Sequence, residues 1–97
     1  MRSQDDQCRA LMARHQAGDR SAFESLYERL GPAVIAYLDA IEPGLGRDAR
    51  LVNEVFLAIH RARRSYDPRR PFEPWAIAIA RHVVLSLSSA RFRGHRA

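Results

Sequence analysis

The chain has 97 residues, 46% of them apolar, and a formal net charge of +5. That length supports one domain with a single core and no staples. Its longest apolar run falls far short of a bilayer span, its opening MRSQDDQCRA lacks an apolar secretory segment, and the lone Cys8 excludes an internal disulfide or a cysteine metal cluster, so a cytoplasmic chain without metal or cofactor is expected.

The distribution of charge says more than its total. Residues 1–57 carry seven Arg against nine acids, a net of −2, whereas residues 58–97 carry nine Arg against two acids, a net of +7. A basic end on a mildly acidic body points to a polyanion partner. The chain has no lysine, so a general preference for arginine contributes to the pattern as well.

The first predicted helix spans Asp6 to Ala17, with Cys8, Leu11, Met12 and His15 on one face and Gly18 as the stop. Ser21-Ala22-Phe23-Glu24 fits a capping box, with Asp19 as a competing cap, and opens the second helix. Its stripe of Phe23, Leu26, Tyr27, Leu30, Val34, Leu38 and Ile41 stays in phase across Gly31-Pro32. One helix kinked at the proline is therefore expected. Glu42-Pro43-Gly44-Leu45-Gly46 reads as a turn.

A third helix is predicted from Asp48 to Arg64. It would bury Leu51, Val52, Val55, Phe56 and Ile59 and expose Arg50, Asn53, Glu54 and Leu57. Three X-Pro pairs, Asp67-Pro68, Arg70-Pro71 and Glu73-Pro74, make a loop, and Pro74 suits the first turn of a fourth helix. That helix would turn Phe72 or Trp75, then Ile79, Val83 and Leu87 inward, and fray after Ser89. The expected organisation is one all-α domain over residues 1–89, a compact bundle of four helices, with a linker or disordered tail over residues 90–97.

Between Arg61 and Val83 the chain gathers arginines, Tyr66, Phe72, Trp75 and three prolines in a short space. Guanidinium forks and aromatic faces on a stiff loop suit single-stranded or partly melted nucleic acid. Trp75 reads as an anchor of the fourth helix, Phe72 fits core or surface equally, and Tyr66 reads as a loop residue open to a ligand. The four histidines lack ligand spacing, and no phosphate loop or hydrolase motif is present, so no catalytic or metal-binding residue is assigned.

Three segments together resemble region 2 of bacterial sigma factors, most closely the extracytoplasmic-function group of the sigma-70 family. Gly18-Asp19, Ala22-Phe23-Glu24 and Leu26-Tyr27 are similar to that group's opening GDxxAFExLY. Leu51-Val52-Asn53-Glu54-Val55-Phe56-Leu57 is similar to its LVQETFL segment. Ser65-Tyr66-Asp67-Pro68, Arg70-Pro71-Phe72, Pro74-Trp75 and Ile79-Ala80-Arg81 are similar to its YDPxRPFxPWxxxIARN segment.

The resemblance implies a domain for transcription initiation. Such a domain docks on the beta-prime clamp helices of core RNA polymerase and recognises and melts the promoter minus-ten element by holding its non-template strand. An anti-sigma factor is a further possible partner. Carried over residue by residue, Arg50, Asn53, Glu54 and Leu57 would meet the polymerase. Arg61, Arg64, Tyr66, Arg69, Arg70, Phe72, Arg81 and His82 would meet DNA, with Tyr66 to Phe72 lining a pocket for a flipped base. Three positions depart from the family. Arg50 replaces an acid, Asn53 a glutamine, and His82 an asparagine. The residues after Leu87 leave no room for a second DNA-binding domain, so a fragment of a longer sigma factor is expected. A sigma-like module that binds polymerase or a regulator without opening promoters, and a sequence-indifferent nucleic-acid binder, are the alternatives.

Overall fold

The computed structural model describes the backbone of residues 3–94 and the side chains of residues 3–87. Among the described residues there are four α-helices and no strand: α1 (Gln4–Gln16), α2 (Arg20–Ile41), α3 (Ala49–Arg61) and α4 (Phe72–Gly94). The all-α architecture matches the periodicity of the sequence, and the differences lie at helix ends and in the inward face of α4.

The start of α1 is capped by the Ser3 hydroxyl, which accepts the Asp6 N–H at 3.1 Å. Asp5 and Asp6 in its first turn, with Arg14 and His15 in its last, complement the helix dipole. Gly18 follows with φ +100°, a left-handed conformation that closes the helix. Its N–H bonds to the His15 carbonyl, and the Asp19 N–H bonds to that of Arg14.

Asp19, not Ser21, caps α2. One carboxylate oxygen accepts the Ser21 N–H at 3.0 Å and the Ser21 hydroxyl at 2.7 Å, while Arg14 donates to the other. These bonds hold the Asp19 carboxyl at about 2. The capping box centred on Ser21 is thereby pre-empted, and the cap moves two residues earlier, so that the helix starts at Arg20.

The helix then runs unbroken for 22 residues through Pro32. Leu26, Leu30, Val34 and Leu38 are fully buried on one face. Four such side chains stabilise by about 6 kcal/mol or more, against about 3 kcal/mol for an interior proline. Burial on both sides of the proline therefore outweighs the lost hydrogen bond.

A 3-10 turn over Leu45–Arg47 brings Gly46 against α2. A Cβ at Gly46 would lie 2.6 Å from the Ile35 carbonyl oxygen, so only glycine allows this approach. The Asp39 carboxylate accepts the Gly46 N–H at 2.8 Å. Asp48 then caps α3 by accepting the Leu51 N–H.

The buried face of α3 is the expected set, Leu51, Val52, Val55, Phe56 and Ile59. The helix ends at Arg61 rather than Arg64. Arg63 donates to the His60 carbonyl, and the Ser65 N–H and hydroxyl both bond to the Ala62 carbonyl, forming a 3-10 turn over Arg63–Ser65. Satisfying the terminal carbonyls locally stops the helix there.

The fourth helix starts at Phe72, two residues ahead of Pro74. The cap comes from α1: the Asp5 carboxylate accepts the Phe72 N–H at 3.1 Å and the Glu73 N–H at 2.8 Å. Phe72, Ala76 and Ala80 form the fully buried face, with Ile79 and Val83 packed beside it. Leu87, expected to point inward, is exposed. Alanines let α4 approach closely, so the small residues set the contact face in place of the larger ones. The helix continues to Gly94, past the expected end at Ser89, and residues 95–97 of the anticipated tail lie outside the described residues.

One core joins all four helices. Cys8, Leu11 and Met12 from α1 meet Leu26, Val55, Ile59, Phe72 and Ala76 in it. Burial pushes the Cys8 thiol pKa up, which keeps it a packing residue.

Candidate nucleic-acid interface

The candidate interface is built where α3 ends and α4 begins. Tyr66 turns back into the domain, 4% exposed, with its ring edge-on to Phe72 at 5.3 Å and tilted against Trp75 at 5.0 Å. Its hydroxyl donates to the Arg70 carbonyl at 2.5 Å, so the loop closes on its own aromatic anchor. Burial raises the Tyr66 pKa, which keeps the phenol a neutral donor.

At the loop's tip the Asp67 carboxylate accepts the Arg69 N–H at 2.9 Å and pairs with the Arg69 guanidinium at 3.0 Å. These bonds hold the Asp67 carboxyl at about 2. The Arg70 N–H bonds to the Asp67 carbonyl at 2.9 Å. Together these contacts present Arg69 and Arg70 to solvent on a tightly turned backbone.

A cleft of about 590 Å³ opens beside this loop, walled by Tyr66, Asp67, Arg70, Pro71 and Trp75. A second hollow of about 480 Å³ lies on the other side of Trp75, between Ala58, Arg61, Ile79 and His82. A third, of about 600 Å³, runs along α4 past Ala78, Arg81, His82 and Leu85 to Tyr37 of α2. Both of the first two volumes fall within the range of small-ligand sites. Arginine rims the first two, and an aromatic ring divides them.

The expected DNA-contacting residues therefore occupy different layers. Arg70 lines the first cleft and Arg61 the second, while Arg81 and His82 stand exposed on α4 at the third. Arg64 is exposed on the 3-10 turn, and Arg69 is exposed but paired with Asp67. Tyr66 is a wall of the first cleft rather than an open loop residue. Phe72 is fully buried beneath it and presents no surface to a ligand, because its own packing forms the first turn of α4.

Trp75, expected only as an anchor, is half-buried and forms part of two clefts. Its position three residues after Phe72 is the signal for this. On a helix that starts at Phe72 the two rings are neighbours, and their centroids lie 5.7 Å apart.

The expected polymerase-facing set lies on one stripe of α3. Arg50, Asn53 and Leu57 are exposed and Glu54 is half-buried. The Tyr27 hydroxyl donates to Asn53 at 3.2 Å while its ring packs on Phe56 at 4.1 Å, so α2 borders this face. Arg61 falls one turn beyond Leu57 on the same stripe and joins the two surfaces.

Two histidines that are far apart in sequence are brought together. His15 Nε2 lies 3.0 Å from His60 Nδ1, and the His15 ring stacks on Phe23 at 4.6 Å. Among the described residues, no group of three or more His, Cys, Asp or Glu side chains could hold a metal ion. Nor is any described helix long and apolar enough to cross a membrane.

The domain is an all-α four-helix bundle, and residues 26–93 match the Sigma-70 region 2 family. The chain belongs to that family. It is 33% identical over 86 residues to the ECF RNA polymerase sigma factor SigF of Caulobacter vibrioides, covering 88% of this chain and 48% of that protein. It is also 33% identical over 73 residues to the RNA polymerase sigma factor CarQ of Myxococcus xanthus, covering 75% of this chain and 42% of the relative. A third relative, the ECF RNA polymerase sigma factor BldN of Streptomyces coelicolor, is 34% identical over 85 residues, covering 86% and 32%. The chain thus spans about half or less of the length of these relatives. No solved structure matches it.

Proposed function

We propose that this domain directs core RNA polymerase to promoters and holds an unpaired base of the minus-ten non-template strand in the cleft that Tyr66, Arg70 and Trp75 line. The observation that carries the proposal is this aromatic cleft with an arginine at its mouth, in a chain whose relatives are sigma factors. Extracting a base costs a few kcal/mol. Stacking on an aromatic ring returns about 1–3 kcal/mol, and a hydrogen bond from a charged donor adds about 1.5–3 kcal/mol. The two gains are comparable to the cost, so binding alone can hold the strand open without a catalytic residue.

Within this proposal Arg61, Arg64 and Arg69 contact phosphates, and Arg81 and His82 on α4 meet bases beside the cleft. Phe72 acts from below by supporting Tyr66 and Trp75. The stripe of Arg50, Asn53, Glu54 and Leu57 docks on the beta-prime clamp helices. Its surface is open and borders Tyr27, and Arg50 places a positive charge there.

Fluorescence anisotropy with labelled single strands, minus-ten and scrambled, at several salt concentrations tests the proposal. The wild-type domain is expected to prefer the minus-ten strand by at least about tenfold. Arg70→Ala or His82→Ala should erase that preference. Arg64→Ala should weaken every sequence alike and reduce the salt slope by about one. Equal affinity for all sequences with a steep salt slope would instead identify a non-specific binder. Tight polymerase binding with no DNA preference would identify an interaction module.

A further inference from the structure

We infer that α1 is a positioning element for the base cleft, acting through Asp5, Arg9 and Gln16; the inference rests on the cleft's proposed role in holding a base. These three residues lie within about 40° of one another around the helix, at 100° per residue, and span about 16 Å along it. Gln16 and Arg9 reach the backbone of the segment between α3 and α4, and Asp5 reaches the first two residues of α4. Gln16 Nε2 donates to the carbonyls of Arg63 and Tyr66, both at 2.7 Å. Arg9 Nε donates to the Pro68 carbonyl at 2.9 Å. Asp5 accepts the Phe72 and Glu73 N–H groups.

Entrance, apex and exit of the loop are thus each tied to one face of one helix. The loop's own backbone bonds are only local: Ser65 to Ala62 and Arg70 to Asp67. These fix tight turns but not the placement of the turns relative to α4. The α1 contacts supply that placement, and they do so through backbone groups, so they act on the shape of the cleft and not on its chemistry. Arg9 is itself oriented by Asp6, at 3.1 Å. On the opposite side of the loop Trp75 closes the cleft against Tyr66. Releasing Gln16 or Arg9 therefore lets Tyr66 and Pro68 move away from Trp75 without removing any group that would touch DNA.

Two readouts test this, with Gln16→Glu and Arg9→Ala as the variants. Gln16→Glu keeps the size of the side chain and removes both donated bonds. Gln4→Ala is the control, since Gln4 donates to the Arg29 carbonyl of α2 and not to the loop. The first readout is the ratio of affinities for a minus-ten single strand with a normal base and with an abasic site at the extracted position. The second is acrylamide quenching of Trp75, the chain's single tryptophan.

Both variants are expected to lower the base-to-abasic ratio by about tenfold, the scale of one or two lost hydrogen bonds. They should also raise Trp75 quenching, with the salt slope and the thermal midpoint close to those of Gln4→Ala. Wild-type ratio and quenching in both variants would overturn the inference. So would equal losses for both strands together with a lowered thermal midpoint, the mark of general destabilisation. A wild-type ratio near one overturns the base-holding role, and the quenching comparison then still decides whether α1 shapes the cleft.

Discussion

Phe72→Ala is expected to lower the unfolding free energy by about 3–5 kcal/mol, as measured by urea denaturation followed by helical circular dichroism. The ring is fully buried, and it packs edge-on against Tyr66 and tilted against Trp75. Its backbone N–H is one of the two that Asp5 caps. Removing the ring leaves a cavity that its neighbours fill poorly. Ala76 and Ala80, the next buried residues on the same face, are too short to reach it. A loss of this size is a large share of the 5–15 kcal/mol typical of a whole domain. Phe72→Leu keeps most of the volume and is expected to cost less than about 1.5 kcal/mol. Trp75→Ala should differ in kind, because that ring is half-exposed and lines two clefts. Its main effect should fall on strand binding.

Acidification is expected to destabilise the domain in two separate windows. The first belongs to the contact between His15 and His60. His15 is buried against Phe23, and its pKa is lowered from 6.5 by desolvation first, then by the positive charges of His60 and Arg63. A hydrogen bond of 3.0 Å between two ring nitrogens needs at least one of them unprotonated. Because the folded-state pKa lies below the unfolded one, the unfolded chain binds more protons between the two values. The stability from a neutral His15 is therefore full above about 6.5 and is lost as pH falls from there through its folded pKa.

The second window belongs to Asp19 and Asp67, both held at about 2. Their contribution is full above the ordinary carboxylate range near 3.8 and is lost as pH falls from there toward 2. Thermal midpoints measured from pH 8 to pH 5 should decline below about 6.5 in the wild type. They should stay flatter in His15→Gln, which cannot be protonated. An identical slope in both proteins would remove the histidine pair as the cause. The pair joins the end of α1 to the end of α3, next to the turn that Gln16 holds, so the same acidification should weaken strand binding.

The helices were legible in the sequence because their buried residues recur with helical spacing. Leu51, Val52, Val55, Phe56 and Ile59 are the clearest case, and the stripe from Leu26 to Leu38 correctly carried α2 through Pro32. The inward face of α4 was not legible. Apolar residues run almost around that helix, from Trp75 and Ile77 through Ile79 and Val84 to Leu87, so periodicity could not choose among them. Close approach chose Ala76 and Ala80.

The arginine and aromatic content of the 61–83 segment marked the site, but not its layers. A loop tyrosine beside prolines looks accessible, yet Tyr66 folds back because its ring finds Phe72 and its hydroxyl finds the Arg70 carbonyl. What remained hidden are contacts between residues remote in sequence. Asp5 caps Phe72 from 67 residues away, and His15 meets His60 across 45. No local pattern encodes these pairs. They arise only when α1 packs against the ends of α3 and α4.

A single base held in the cleft walled by Tyr66, Arg70 and Trp75 is tested most directly by walking 2-aminopurine through the minus-ten single strand and recording its fluorescence on binding the domain. One position is expected to respond differently from all others, and that response should vanish in Trp75→Ala while the neighbouring positions keep theirs. A uniform response along the strand, or a distinct position that survives Trp75→Ala, would contradict it.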